Sequence, residues 1–111
     1  MTRPNLPEPL EQYFTATNIG NMETVGACFT PDARVHDEGR WLQGREALTK
    51  WARESREKYN FTASPRSVEL NSESQPVVTA EVTGNFPGSP LALRYHFTID
   101  KGAISALVIK P

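Results

Sequence analysis

The hydrophobic period of this chain changes once, near Asn60-Phe61, and that change limits the architectures open to it. Before it, apolar residues recur every three or four positions; after it, they recur every second position. The clearest helix runs from about Arg45 to Tyr59, with Leu48, Trp51, Ala52, Ser55 and Tyr59 forming one stripe. On its other face Glu46 and Lys50, Arg53 and Glu57, and Glu54 and Lys58 sit at i,i+4 spacing and read as a solvated face. Upstream, Leu10, Tyr13, Phe14 and Thr17 mark a first helix, with Pro9 in its opening turn and Gly20 as its stop. Asn21 caps a second short helix expected to carry Met22, Val25 and Phe29. Pro31-Asp32 reads as a turn and Ala33 to Asp37 as a strand.

Downstream, residues 61 to 70 make a strand interrupted early by Pro65, and Asn71 to Pro76 a polar turn. Val77 to Phe86 place Val78, Ala80, Val82 and Phe86 on one face, before a tight connection through Pro90. In the next strand Leu91, Leu93, Tyr95, Phe97 and Ile99 share one face, and Ala92, Arg94, His96 and Thr98 the other. Asp100-Lys101-Gly102 turns the chain into Ala103 to Ile109, apolar on both faces. Helices first and strands last, joined by short turns, specify an α+β fold with helices on one face of an antiparallel sheet. At 111 residues, with no repeat and no long linker, residues 1–111 are expected to form one domain. Leu107 and Ile109 are expected to face the helices, and Ile104, Ala106 and Val108 to face away. A second apolar sheet face calls for a partner, so a homodimer through the outer sheet face is expected; a lone hydrophobic strand end is the alternative.

A formal net charge of −1 gives no basic surface for nucleic acid or an anionic membrane. No segment has the length and hydropathy of a membrane span, and the start of the chain carries no signal-length apolar run, so a cytoplasmic location is expected. Cys28 is the single cysteine, which excludes an intrachain disulfide and a cysteine-based zinc site; its apolar neighbours point to a buried thiol. His36 and His96 do not stand with carboxylates at metal-ligand spacing. Neither a metal nor a cofactor is expected.

The segment from Phe29 to Trp51 holds the densest polar chemistry: His36, Asp37 and Glu38 end a strand just before the long helix. If Asp37 points inward, alternation turns His36 outward. Asp37 followed by Glu38-Gly39 is also a sequence in which aspartate simply caps a turn.

Several pieces taken in order resemble the nuclear transport factor two-like superfamily, in its ketosteroid isomerase and SnoaL-like polyketide cyclase branch. They are Tyr13 to Gly20, Phe29-x-x-Asp-Ala-Arg-Val-His-Asp37, Gly44-Arg-Glu-Ala-Leu48, and Phe97-Thr-Ile-Asp-Lys-Gly-Ala-Ile104. The resemblance implies a cone-shaped, curved sheet, antiparallel or mixed, packed around the long helix with two shorter N-terminal helices, enclosing an apolar pocket. It places Asp37 where ketosteroid isomerases carry their catalytic aspartate and Tyr13 where they carry a substrate-binding tyrosine. Tyr95 falls where those enzymes have a second, protonated aspartate. Phe14, Trp51, Leu93, Phe97 and Leu107 are then candidates for the pocket wall, with Glu38 and Arg40 at its rim. Trp41 is a candidate lid or dimer contact, and Arg94 a candidate interface residue.

Moving a proton between carbons needs a base near an acidic C–H and a donor near the developing enolate oxygen. A carboxylate raised by desolvation suits the first role, and a neutral phenol the second. Asp37, Tyr13 and Tyr95 are those types, although both tyrosines read equally as ordinary core phenols. The acid that related cyclases carry on a later strand is missing from the inward face of residues 91 to 109, and the Asp-Arg-Asp set of epoxide hydrolases of this fold cannot be assembled from the sequence. The expected function is binding of a small apolar, carbonyl-bearing molecule, with acid–base isomerase, cyclase or dehydratase activity. The alternatives are a non-catalytic ligand-binding or dimerisation module, or a protein-interaction domain.

Overall fold

The computed structural model describes residues 4–111; Met1 to Arg3, at the start of the segment read as lacking a signal, lie outside the described residues. Helix α1 (Glu8–Ile19) begins with Pro9 in its first turn and ends at Gly20, whose φ of 79° is the left-handed value that glycine adopts without a Cβ clash. The Asn21 side chain accepts the Thr24 N–H at 3.2 Å and so caps α2 (Met22–Ala27). Phe29 does not continue this helix. It opens β1 (Phe29–Asp37) and pairs with Ile104, while the Ile104 N–H donates to the Cys28 carbonyl at 2.8 Å. The expected Pro31-Asp32 turn is instead an irregularity inside β1, where its register against the last strand shifts between Phe29 and Arg34. A proline has no N–H for the ladder, so a bulge tolerates it.

Glu38 and Gly39, with φ of 51° and 78°, reverse the chain into β2 (Arg40–Gln43), an extra strand that pairs antiparallel with β1. Helix α3 (Arg45–Tyr59) follows, burying Leu48, Trp51 and Ala52. Among the described residues none of its three i,i+4 charge pairs closes to an ion pair. Arg56 instead ties α3 to the end of α1, donating to the Thr17 and Asn18 carbonyls at 3.0 Å each. Asn18 in turn exchanges two hydrogen bonds with the Ala63 backbone, at 2.8 and 2.9 Å.

The remaining strands are β3 (Thr62–Leu70), β4 (Pro76–Thr83), β5 (Leu91–Asp100) and β6 (Ala103–Lys110). The sheet has six strands in the order β2-β1-β6-β5-β4-β3, parallel only between β1 and β6. It is curved and does not close. The helices fill its concave face, and the core there includes Leu10, Phe14, Phe29, Val35, Leu48, Val78, Phe97 and Leu107.

One inward residue differs from the expected pattern. Ile104, expected on the outer face, is fully buried in the core. The β5–β6 register slips between Thr98 and Ile99, so Ile104 pairs with Ile99 while Leu107 pairs with Phe97. The extra residue brings both Ile104 and Leu107 to the inside. Ala106 and Val108 remain on the outer face, half-buried. No helix of the described residues is long and apolar enough to cross a membrane.

Gly84 marks where the end of β4 passes the α3–β3 corner. A Cβ there would stand 2.6 Å from the Tyr59 carbonyl oxygen and 2.9 Å from the Phe61 Cα, both backbone atoms that cannot swing aside. Gly84→Ala should therefore lower unfolding stability by about 1–3 kcal/mol in urea titrations, the usual cost of overpacking.

Candidate ligand cavity and active site

The curved sheet leaves α3 near its C-terminal end, and a cavity of about 340 Å³ opens between them. Tyr13, Trp51 and Tyr95 line it beside Asp37; Val82, Leu91, Leu93 and Ile109 supply apolar wall; Ser55, Tyr59, Phe61, Phe86, Glu38, Lys110 and Pro111 complete it. Ser55 and Tyr59 belong to the helix stripe visible in the sequence, and Val82, Phe86 and Leu91 to alternating strand faces. Nothing in those patterns distinguishes a side chain that meets space from one that meets another side chain.

Asp37 is the last residue of β1, on the same face as the buried Val35 and Ala33. The Trp51 Nε1–H donates to Asp37 Oδ2 at 3.0 Å, across 14 positions of sequence. Burial raises the Asp37 carboxyl above its ordinary value; the Trp51 hydrogen bond opposes that rise, and the neighbouring Glu38 charge adds to it.

The two phenols lie with ring centroids 6.4 Å apart. Both are raised, first by burial; Tyr13 is raised further by Tyr95 and then Asp37, and Tyr95 by Asp37. The Tyr95 hydroxyl has no hydrogen-bond partner among the described residues and is not sealed within the core, so it opens on the cavity. Phe14 and Phe97, expected as pocket wall, stand behind it. Phe14 meets Tyr13 and Tyr95 edge-on at 5.2 and 5.1 Å, and Phe97 meets Tyr13 at 5.7 Å. Leu107 is likewise core and does not line the cavity, because it packs beneath the strands beside Phe97. Trp51 and Leu93 do line it.

Glu38 occupies the hairpin turn, and its carboxylate accepts the Tyr59 hydroxyl at 2.6 Å. Arg40 does not line the apolar cavity. It borders an adjoining polar recess with Glu54, Glu57 and Lys58. His36 faces the outer side, its ring 4.9 Å from Trp41, over which the Arg34 guanidinium also lies at 4.8 Å. His96 is on the same outer face; partial burial, then Lys110 and Arg94, lower its pKa. Among the described residues Arg94 reaches Glu69, at 3.7 Å. Cys28 is buried, donates its thiol to the Thr24 carbonyl, and is raised by desolvation. Among the described residues no three histidine, cysteine or carboxylate side chains converge as metal ligands would.

The SnoaL-like domain model matches residues 10–106, nearly the whole element order just described. The chain belongs to the SnoaL-like family. Within the solved structures, a candidate polyketide cyclase from Sinorhizobium meliloti is 35% identical, with 95% of each chain covered and a TM-score of 0.89. A protein from Catenulispora acidiphila with a ketosteroid isomerase-like fold is 17% identical, with 96% of this chain and 87% of that chain covered, at a TM-score of 0.82. A candidate ketosteroid isomerase from Kribbella flavida is 15% identical, covering 95% of this chain and 76% of that one, at 0.79. The latter two establish likeness of fold. No curated protein matches the chain.

In this SnoaL-like chain the half-buried Asp37 carboxylate has a defined linkage. Because the folded-state pKa of Asp37 is raised, its contribution is fully present below the ordinary carboxylate value and is lost as pH rises through the raised one. Asp37→Asn keeps an oxygen for Trp51 without the charge. It should melt higher than the wild type at pH 7, with the difference shrinking toward pH 4, as followed by circular dichroism.

Proposed function

We propose that this SnoaL-like protein acts on a small apolar carbonyl compound by acid–base chemistry, as an isomerase, cyclase or dehydratase. The observation that carries this reading is one apolar cavity shared by a desolvated carboxylate and two buried phenols, one of them without a partner. Trp51 engages Oδ2 of Asp37 and leaves Oδ1 to act as general base. Oδ1 takes a proton from the carbon beside the carbonyl; the C–H electron pair moves into the new C=C bond and the charge onto oxygen. Tyr13 and Tyr95 stabilise that oxygen by hydrogen bonding. Asp37 then returns the proton to another carbon of the conjugated system, shifting the double bond, and regains its charge. The cavity lies near the small end of the range for ligand sites, which favours compact ring systems.

A second reading, binding without turnover, has its own support. Burial and the Asp37 charge make both phenols weaker acids than free tyrosine, which weakens them as enolate donors. A panel of β,γ-unsaturated ketones, followed by the absorbance of the conjugated product, separates the two. Turnover that falls about 10²–10⁴-fold in Asp37→Asn and about 10²-fold in Tyr95→Phe supports the enzyme. Ketones that raise the melting temperature without conversion support the binder. An Asp37→Asn rate equal to wild type removes Asp37 from any mechanism.

For the assembly we infer a homodimer through the outer sheet face rather than a docking module for another protein. Trp41, His36, Val108, His96 and Val77 form one continuous row across five strands there, and Trp41 is 53% exposed. The free Cys28 thiol is compatible with a reducing compartment, the cytoplasm. Val108→Asp should shift the sedimentation coefficient from dimer to monomer while leaving ligand-induced stabilisation in place. A wild-type monomer at micromolar concentration would end the dimer reading.

A further inference from the structure

Helix α1 carries a buried hydroxyl that the resting fold leaves idle. Thr17 is 4% exposed, and among the described residues its Oγ1 is the one buried side-chain polar atom that closes no hydrogen bond. The usual outlet for a threonine inside a helix is the carbonyl four residues back. Thr49 takes it in α3, donating to the Arg45 carbonyl at 2.8 Å, and the Cys28 thiol just after α2 does the same with the Thr24 carbonyl. For Thr17 that carbonyl belongs to Tyr13, and it is not taken. A buried hydroxyl left in this condition weakens the fold. Valine has the same branched shape without the hydroxyl, so packing alone does not account for a threonine at this position.

The group beside it is the Tyr13 phenol. Residues four apart on a helix share a face, and Tyr13 and Thr17 are both buried on the inward face of α1. Of the two, only Tyr13 lines the cavity. Burial, Tyr95, Asp37 and Cys28 all raise the Tyr13 phenol; the Thr17 hydroxyl is the one influence that lowers it, as a hydrogen-bonding neighbour of the phenol oxygen. The two hydroxyls therefore stand close without a closed bond between them. A phenol has a single proton to give. Once Tyr13 gives it to a ligand oxygen, its own oxygen becomes more negative and attracts a donor from behind, a place the Thr17 hydroxyl is free to take. Tyr95 has no such support: burial and Asp37 only raise it.

We propose that Thr17 is a positioning residue for the cavity: its hydroxyl donates to Tyr13 when Tyr13 donates to a ligand oxygen, forming a relay from Thr17 through Tyr13 to the ligand. The relay makes the two phenols unequal, with Tyr13 the reinforced donor and Tyr95 acting alone. It rests on the reading that the cavity takes a carbonyl compound, but not on turnover. The idle hydroxyl finds its partner only in the liganded state, so what weakens the empty protein strengthens the filled one.

Titration calorimetry with 2-indanone and indane, which share a skeleton and differ in the carbonyl, reads the oxygen contact as a ratio of affinities. Thr17→Val should lower the ketone-to-hydrocarbon ratio about three- to ten-fold while melting as high as the wild type or higher. Thr17→Ser keeps the hydroxyl and loses the methyl, so it should keep the ratio while melting lower. Tyr13→Phe should lower the ratio, and adding Thr17→Val to it should lower it no further, because the relay acts through the phenol. A wild-type ratio well above one that Thr17→Val leaves unmoved, or that Thr17→Val lowers equally with and without the Tyr13 hydroxyl, overturns the relay and leaves the carbonyl reading intact. A Thr17→Val that melts below the wild type also overturns it, since the hydroxyl then already has a partner. A wild-type ratio near one, or no binding of either compound, overturns the carbonyl reading and the relay with it.

Discussion

Helix α3 packs across a sheet that bends away from it, and the site follows from that mismatch. Over its first turns the stripe of Leu48, Trp51 and Ala52 is buried; further on, the same stripe reaches Ser55 and Tyr59, which border open space. The Trp51–Asp37 hydrogen bond stands at the transition, where the packed part of the interface gives way to the cavity. It joins the middle of the helix to the end of β1 and fixes where the carboxylate points. Apolar burial holds the helix along the sheet, and this polar contact sets the direction of the Asp37 carboxylate.

The proposed chemistry has an internal logic in its electrostatics. After burial, Asp37 raises the pKa of both phenols and Tyr95 that of Tyr13, because a second negative charge in a desolvated space is unfavourable. In the resting protein this keeps the phenols neutral, as donors must be. Once Asp37 has accepted a proton its charge is gone, and the field opposing negative charge at the phenol end weakens. A charge that appears on substrate oxygen at that moment meets donors no longer opposed by the base.

The change of period near Asn60 made the helices, the later strands and the α+β class legible, and Arg45 to Tyr59 agrees with α3 residue for residue. What remained hidden depended on single-residue irregularities. A bulge in β6 moved Ile104 to the inside, and another in β1 absorbed Pro31 where the residues suggested a turn. Strand β2 was hidden because its four residues are mostly exposed and carry no alternation. The site was legible as residue types, not as surfaces: Phe14, Phe97 and Leu107 share the inward pattern with Leu93, yet only Leu93 meets the cavity. Three charge pairs of α3 read as such by spacing alone, but Lys58 meets an aromatic face instead, and Arg56, outside those pairs, donates to backbone carbonyls.

Tyr59 is held at three points: its carbonyl accepts the Asn85 N–H at 2.7 Å, its ring meets Phe86 edge-on at 5.9 Å, and its hydroxyl donates to Glu38. One residue thereby fastens the β1–β2 turn on one side and the β4–β5 connection on the other, so the rim is a continuous chain of contacts. Passage of a ligand larger than the gap requires one of these contacts to let go. Residence time then reflects how often the clasp at Tyr59 opens, and it can change independently of how well the walls fit what they hold.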